Sequence, residues 1–138
     1  MLGISLWAVL LATVAQFIVG MIWYAPLFGK LWGKIHGFDK FTKEKQKEMM
    51  SQMGPYYALQ FFVTVLTSVA IAKFIALTPD YSVYKLALYL WVGIVVPVQV
   101  SAVIFGGTES RWMLKKIAVM AGGSLVCIIT AAAVISAI

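Results

Sequence analysis

Four apolar runs, each about as long as a bilayer is thick, constrain this chain more than any other feature. They read Leu2–Tyr24, Gly54–Leu77, Tyr84–Phe105 and Trp112–Ile138. A helix rises ~1.5 Å per residue, so roughly 20 residues cross a hydrocarbon core of about 30 Å. Of the 138 residues, 62% are hydrophobic and 12% charged. A soluble domain of this length has too little interior to hide that much apolar surface. In hydrocarbon each backbone N–H and C=O must be satisfied within its own segment, which makes these runs helices. The expectation is an all-α integral membrane protein with four transmembrane helices in a bundle, one domain over 1–138. The N-terminus lacks a basic n-region and its apolar run extends to Tyr24, so it is expected to be retained as a span.

The polar residues collect between the runs. Residues 26–53 hold six lysines (Lys30, Lys34, Lys40, Lys43, Lys45 and Lys47) against Asp39, Glu44 and Glu48. Thr42 is placed to cap a short helix running toward Met53, with Glu44 in its first turn. Gly54-Pro55 then opens the second span. Arg111, Lys115 and Lys116 fall at the same end, so nine of the eleven basic residues share one side and only Lys73 and Lys85 face the other. Basic residues stay in the cytoplasm, which predicts a multi-pass protein of a cytoplasmic (inner) membrane with both termini outside. The net charge of +6 matches anionic lipid headgroups and gives no nucleic-acid signal, because the lysines sit between apolar runs.

One stretch joins the first span to this basic region: Gly20–Phe38, GMIWYAPLFGKLWGKIHGF. Trp23 and Tyr24 are the aromatic types that favour a membrane–water boundary. Pro26 removes a backbone donor and should kink or stop the helix. Beyond it Leu27, Phe28, Leu31, Trp32, Ile35 and Phe38 recur at helical spacing, with Lys30 and Lys34 on another face. That pattern predicts an interfacial amphipathic segment on the cytoplasmic side. Gly29, Gly33 and Gly37 are four apart and form a bare stripe, expected to dock on the bundle or a neighbouring subunit. Trp23, Tyr24, Pro26, Phe28, Gly29, Lys30, Trp32 and Lys34 are the candidate lipid or partner contacts.

Inside the spans no Asp, Glu, Arg or His lies at mid-membrane depth, and the notable polar groups are three glutamines. Gln16, Gln60 and Gln99 come from three different helices, each about 9–12 Å inside the basic end of its span at ~1.5 Å per residue. Two readings compete. The amides act as interhelical glue beside small-residue stripes, or they form a polar layer lining a ligand site or permeation path. Pro97 should kink the third span, freeing the Gly93 carbonyl.

Catalytic equipment is sparse. His36 with Asp39 three residues on is too small a set for a catalytic metal. Cys127 has no basic neighbour to lower its pKa and, being the single cysteine, forms no internal disulfide. The glycine stripe fits no phosphate loop. No enzyme activity, no metal and no cofactor is expected.

The run Gly20–Lys30, followed by Trp32, resembles an uncharacterised family of small bacterial membrane proteins, domain of unknown function 1761. Phe105, Glu109, Arg111 and Trp112 are similar to that family's FEGRPW-type turn, with Gly106, Gly107, Thr108 and Ser110 departing from it. The resemblance implies a four-helix membrane protein and brings no activity or catalytic residues. Glu109 or Arg111, with Trp112, is expected to tie its loop to the Lys30–Lys34 region or to a headgroup.

The reading that follows is a non-enzymatic, homo-oligomeric membrane module that binds lipid or a membrane partner through the aromatic–glycine stretch. The alternative is a small transporter or channel lined by the glutamine layer. Proton-coupled export is a poor fit, because Gln16 stands where a carboxylate would be needed and an amide cannot cycle a proton.

Overall fold

The computed structural model describes residues 3–138, and every regular element among them is helical. Helix α1 runs from Leu6 to Ile22, capped by Ser5, whose Oγ accepts from the Ala8 amide at 3.2 Å. It passes directly into a π-helical turn, Trp23–Leu27. Next come α2 (Gly29–Ile35), a 3-10 turn (Phe38–Lys40) and α3 (Lys43–Ser51). The expected Thr42 cap is present, its Oγ1 accepting from the Lys45 amide at 3.2 Å. Helix α4 spans Gly54–Leu77 with Pro55 in its first turn. Then α5 (Val83–Leu90), a second π-helical turn (Trp91–Val95) and α6 (Val96–Phe105) form one continuous rod. A 3-10 turn at Ser110–Trp112 leads into α7, Met113–Ala137.

Four helices are long and apolar enough to cross a bilayer: Leu6–Leu27, Gly54–Leu77, Val83–Phe105 and Ser110–Ala137. They match the four apolar runs closely; the expected start at Leu2 lies outside the described residues.

Pro26 and Pro97, the two prolines beyond the first turn of a span, sit at or beside π-helical turns, which is how the helix absorbs their missing N–H. At Pro26 the bonding shifts by one residue, and the Phe28 amide reaches back to the Trp23 carbonyl at 3.0 Å. In the third span the Val96 amide donates to the Trp91 carbonyl just before Pro97. Phe28 then leaves helical geometry, with φ of −120°, and the rod is locally widened ahead of Pro97.

Helix α7 is the axis of the packing. α1 lies along it most extensively, α5 and α6 cover another side, and α4 packs chiefly on α1. The core is made of small residues: Ala12, Ala87, Ala131 and Ala132, with Ile71 and Ile128. Small side chains let backbones approach, which is how helices gain contact when the surroundings are as apolar as their interior. The Ala8 and Ala12 stripe of α1 is buried inside the chain, as are Ala131 and Ala132 of α7, so both stripes are consumed within one molecule.

The large apolar side chains point outward instead. Leu6, Leu114 and Phe105 are 85%, 82% and 87% exposed, and Trp7, Phe62, Val98 and Ile94 follow the same pattern. Water would penalise so continuous an apolar exterior, whereas hydrocarbon would not.

Candidate functional site

Two tryptophans fix the arrangement around α7. Each opens a π-helical turn, and each turns its indole inward to a carbonyl of α7. Trp23 Nε1 donates to the Val119 carbonyl at 2.9 Å, and Trp91 Nε1 donates to the Ala121 carbonyl at 2.8 Å. Trp91 also reaches Ser124 Oγ at 3.2 Å. A buried indole N–H needs an acceptor, and the second lone pair of a helix carbonyl supplies one.

Trp23 fits because α7 carries Gly122 and Gly123 beneath it. A Cβ on Gly122 would lie 2.6 Å from the Trp23 ring, and one on Gly123 would lie 2.9 Å from it and 3.2 Å from the Tyr24 hydroxyl. The Trp23–Tyr24 pair therefore belongs to an internal joint, half-buried against α7, and not to a freely presented membrane anchor. Gly122, Gly123 and Trp91 carry no functional signal in the composition or spacing of their own spans. The usable signal was a tryptophan shortly before an intrahelical proline in both the first and third spans.

The three glutamines do not converge. Gln16, 5% exposed, donates to Ser68 Oγ at 2.8 Å and to the Ala12 carbonyl at 3.3 Å. Ser68 in turn meets the buried Thr13 hydroxyl at 2.9 Å, so this knot clamps α1 to α4. Gln99 joins a separate knot: its Nε2 donates to the Met120 carbonyl at 3.3 Å, and its Oε1 accepts from Ser124 Oγ at 3.2 Å. That one clamps α6 to α7. Gln60 lies on the exposed face of α4 and donates only to Thr64 Oγ1, one turn along its own helix, at 3.2 Å. The shared depth expected from the sequence thus does not make a shared layer. Gln16 and Gln99 are interhelical glue in two places, and Gln60 stands apart.

The basic end is built from aromatic rings and cations. Phe28 packs on Trp23 with centroids 4.6 Å apart, and Trp32 meets Tyr24 edge-on at 4.9 Å. The His36 ring packs on Trp32 at a 60° tilt with centroids 4.4 Å apart, and its Nδ1 lies 2.9 Å from the Trp32 carbonyl. From α7, the Lys116 ammonium sits 5.9 Å from the Trp32 ring centroid and donates to Thr108 Oγ1 at 3.4 Å. Trp112 carries two cations, the Arg111 guanidinium at 5.3 Å and the Lys115 ammonium at 5.2 Å. Lys30 and Lys34 are exposed on α2.

Two expectations are corrected here. Glu109 and Arg111 pair with each other at 2.8 Å and not with the Lys30–Lys34 region, which leaves a headgroup as the other expected contact. Both are well exposed, so the pair contributes at most about 1 kcal/mol; the tie between the two loops is made by Lys116 and Trp32. The stripe of Gly29, Gly33 and Gly37 also does not dock on the bundle. α2 ends at Ile35, and Gly37 takes a left-handed conformation with φ of 69°. A Cβ on Gly29 would meet only the Tyr24 carbonyl, on Gly33 only Phe38, and on Gly37 nothing. A seven-residue helix closed by a left-handed turn cannot present three glycines four apart on one face.

Among the described residues no three His, Cys, Asp or Glu side chains gather into a metal-binding group. The family model that matches, described as "Protein of unknown function (DUF1761)", covers residues 7–136. No curated protein and no solved structure matches the chain.

Proposed function

We propose, for a chain that belongs to the DUF1761 family, that it is a non-enzymatic, four-span membrane module whose basic end binds anionic lipid headgroups. The observation that carries this reading is the Trp32–Lys116–Thr108 cluster beside Trp112 with its two cations. Rings at the membrane boundary set depth, and ammonium and guanidinium groups held against them offer charge-assisted hydrogen bonds to a phosphate. Each lysine near such a surface adds about 1 kcal/mol of attraction. Trp32, Lys30, Lys34, Lys115 and Lys116 are the contacting residues, while Trp23 and Tyr24 hold the stretch onto α7.

The basic end faces the cytoplasm under the positive-inside rule, with both termini outside. The outward apolar side chains of all four spans support membrane residence. The alternative of a pathway past the glutamines has no observation in its favour, since Gln16 and Gln99 spend their amides on separate helix contacts.

Lipid retention by native mass spectrometry tests this. In competition, phosphatidylglycerol should be kept over phosphatidylcholine, and Lys116→Gln should lower that preference about fivefold, as about 1 kcal/mol implies. Equal retention of the two lipids by the wild-type protein would sink the proposal.

A further inference from the structure

The exposed surface of α4 has two different faces. One, through Leu59, Phe62, Leu66 and Val69, is uniformly apolar and suits contact with acyl chains. Beside it, Gln60, Val63, Thr67, Ala70 and Phe74 are also exposed, and they recur at alternating steps of three and four. Both faces have the heptad spacing by which helices pair. The second differs from its neighbour by carrying an amide, a hydroxyl and a small residue, the three features by which membrane helices associate. Thr67 satisfies its hydroxyl on its own Val63 carbonyl at 3.2 Å. Gln60 uses one N–H on Thr64, and its carboxamide oxygen has no partner among the described residues. Gln60 lies six residues into α4, about 9 Å along its axis at ~1.5 Å per residue, which puts the amide below the headgroups.

We infer that the Gln60–Phe74 face of α4 is a homodimer seam, on which the α4 of a second copy of this chain docks about a two-fold axis. A carboxamide is a donor and an acceptor at once, so Gln60 of one copy and Gln60 of the other satisfy each other reciprocally. Only a partner bearing the same group at the same depth does this without a new polar residue, and two-fold contacts bring identical residues together. The seam also borders an apolar cleft of about 200 Å³ lined by Thr67, Ala70 and Phe74 on one side and Leu90, Ile94 and Val95 on the other. Side chains of the second α4 would fill it. The small-residue stripes of α1 and α7 are already buried within the chain. The third span also exposes Gly93, Pro97 and Ser101, but its Gln99 spends both ends of its amide on α7, so the open carboxamide of Gln60 marks α4 as the associating surface. This inference rests on the reading that α4 spans a bilayer.

Single-cysteine variants in a Cys127→Ala background, oxidised in liposomes, provide the test. Val63→Cys, Thr67→Cys and Ala70→Cys should cross-link to dimers, while Phe62→Cys, Leu66→Cys and Val69→Cys should not. Separately, Gln60→Leu should weaken dimerisation, read by fluorescence energy transfer on lipid dilution, by about threefold to tenfold, since membrane amide bonds contribute roughly 0.6 to 1.7 kcal/mol. Uniform cross-linking on both faces, or none with monomers throughout the dilution series, would overturn the seam and assign the cleft to an acyl chain. Labelling of Leu66→Cys by a water-soluble maleimide would instead show that α4 does not span, overturning the membrane reading along with the seam.

Discussion

Glycine at positions 122 and 123 is a condition for seating Trp23, because any Cβ there enters the space of the indole. Gly122→Ala or Gly123→Ala should therefore displace the ring and break its bond to the Val119 carbonyl. Overpacking of this kind costs about 1–3 kcal/mol. Thermal unfolding in detergent, with tryptophan emission as a second readout, measures it. Gly93→Ala is the control, since nothing lies within 4 Å of its added methyl; it should change stability far less. The Gln16–Ser68–Thr13 knot makes a second residue-scale prediction. Ser68→Ala strands the buried Gln16 amide hydrogen, while the Thr13 hydroxyl falls back on the Val9 carbonyl at 2.8 Å, and should destabilise by about 1–3 kcal/mol. Gln60→Leu, on an exposed face, should leave the unfolding of the monomer close to wild type.

At the scale of elements, the helices follow from length and punctuation. α3 illustrates a local rule that needs no tertiary help: Thr42→Ala should cost its first turn about 1 kcal/mol. Faster amide exchange over Lys43–Ser51, with α4 unchanged, is the expected reading. What the sequence makes legible is spacing along an axis. The four spans, the Thr42 cap and the irregularities at Pro26 and Pro97 all depend on residue order alone. Azimuth is a different matter. Gln16, Gln60 and Gln99 lie at comparable depth, yet one residue of helix turns a side chain by about 100°, and the facing depends on which helix packs where. Each π-helical turn adds a residue to its rod and rotates everything beyond it. Trp23 shows the effect: its composition suits the membrane boundary, but the turn it opens aims its ring at α7. The glycine stripe failed for a related reason, as the helix needed to align it stops at Ile35.

The whole molecule joins an apolar exterior, a small-residue interior centred on α7 and one basic end. Orientation is testable on intact bacterial cells expressing the chain without Cys127. Ser136→Cys, near the end of α7, should react with an impermeant maleimide from outside, whereas Gln52→Cys should react only after permeabilisation. The central claim is that the basic end holds lipid phosphate. The most direct measurement is nitrogen–phosphorus distance by solid-state NMR, with the lysine side chains ¹⁵N-labelled and Lys116 assigned through Lys116→Gln. In phosphatidylglycerol bilayers the Lys116 Nζ signal should be dephased by lipid phosphorus, showing direct contact. A Lys116 signal that phosphorus leaves undisturbed would contradict the account.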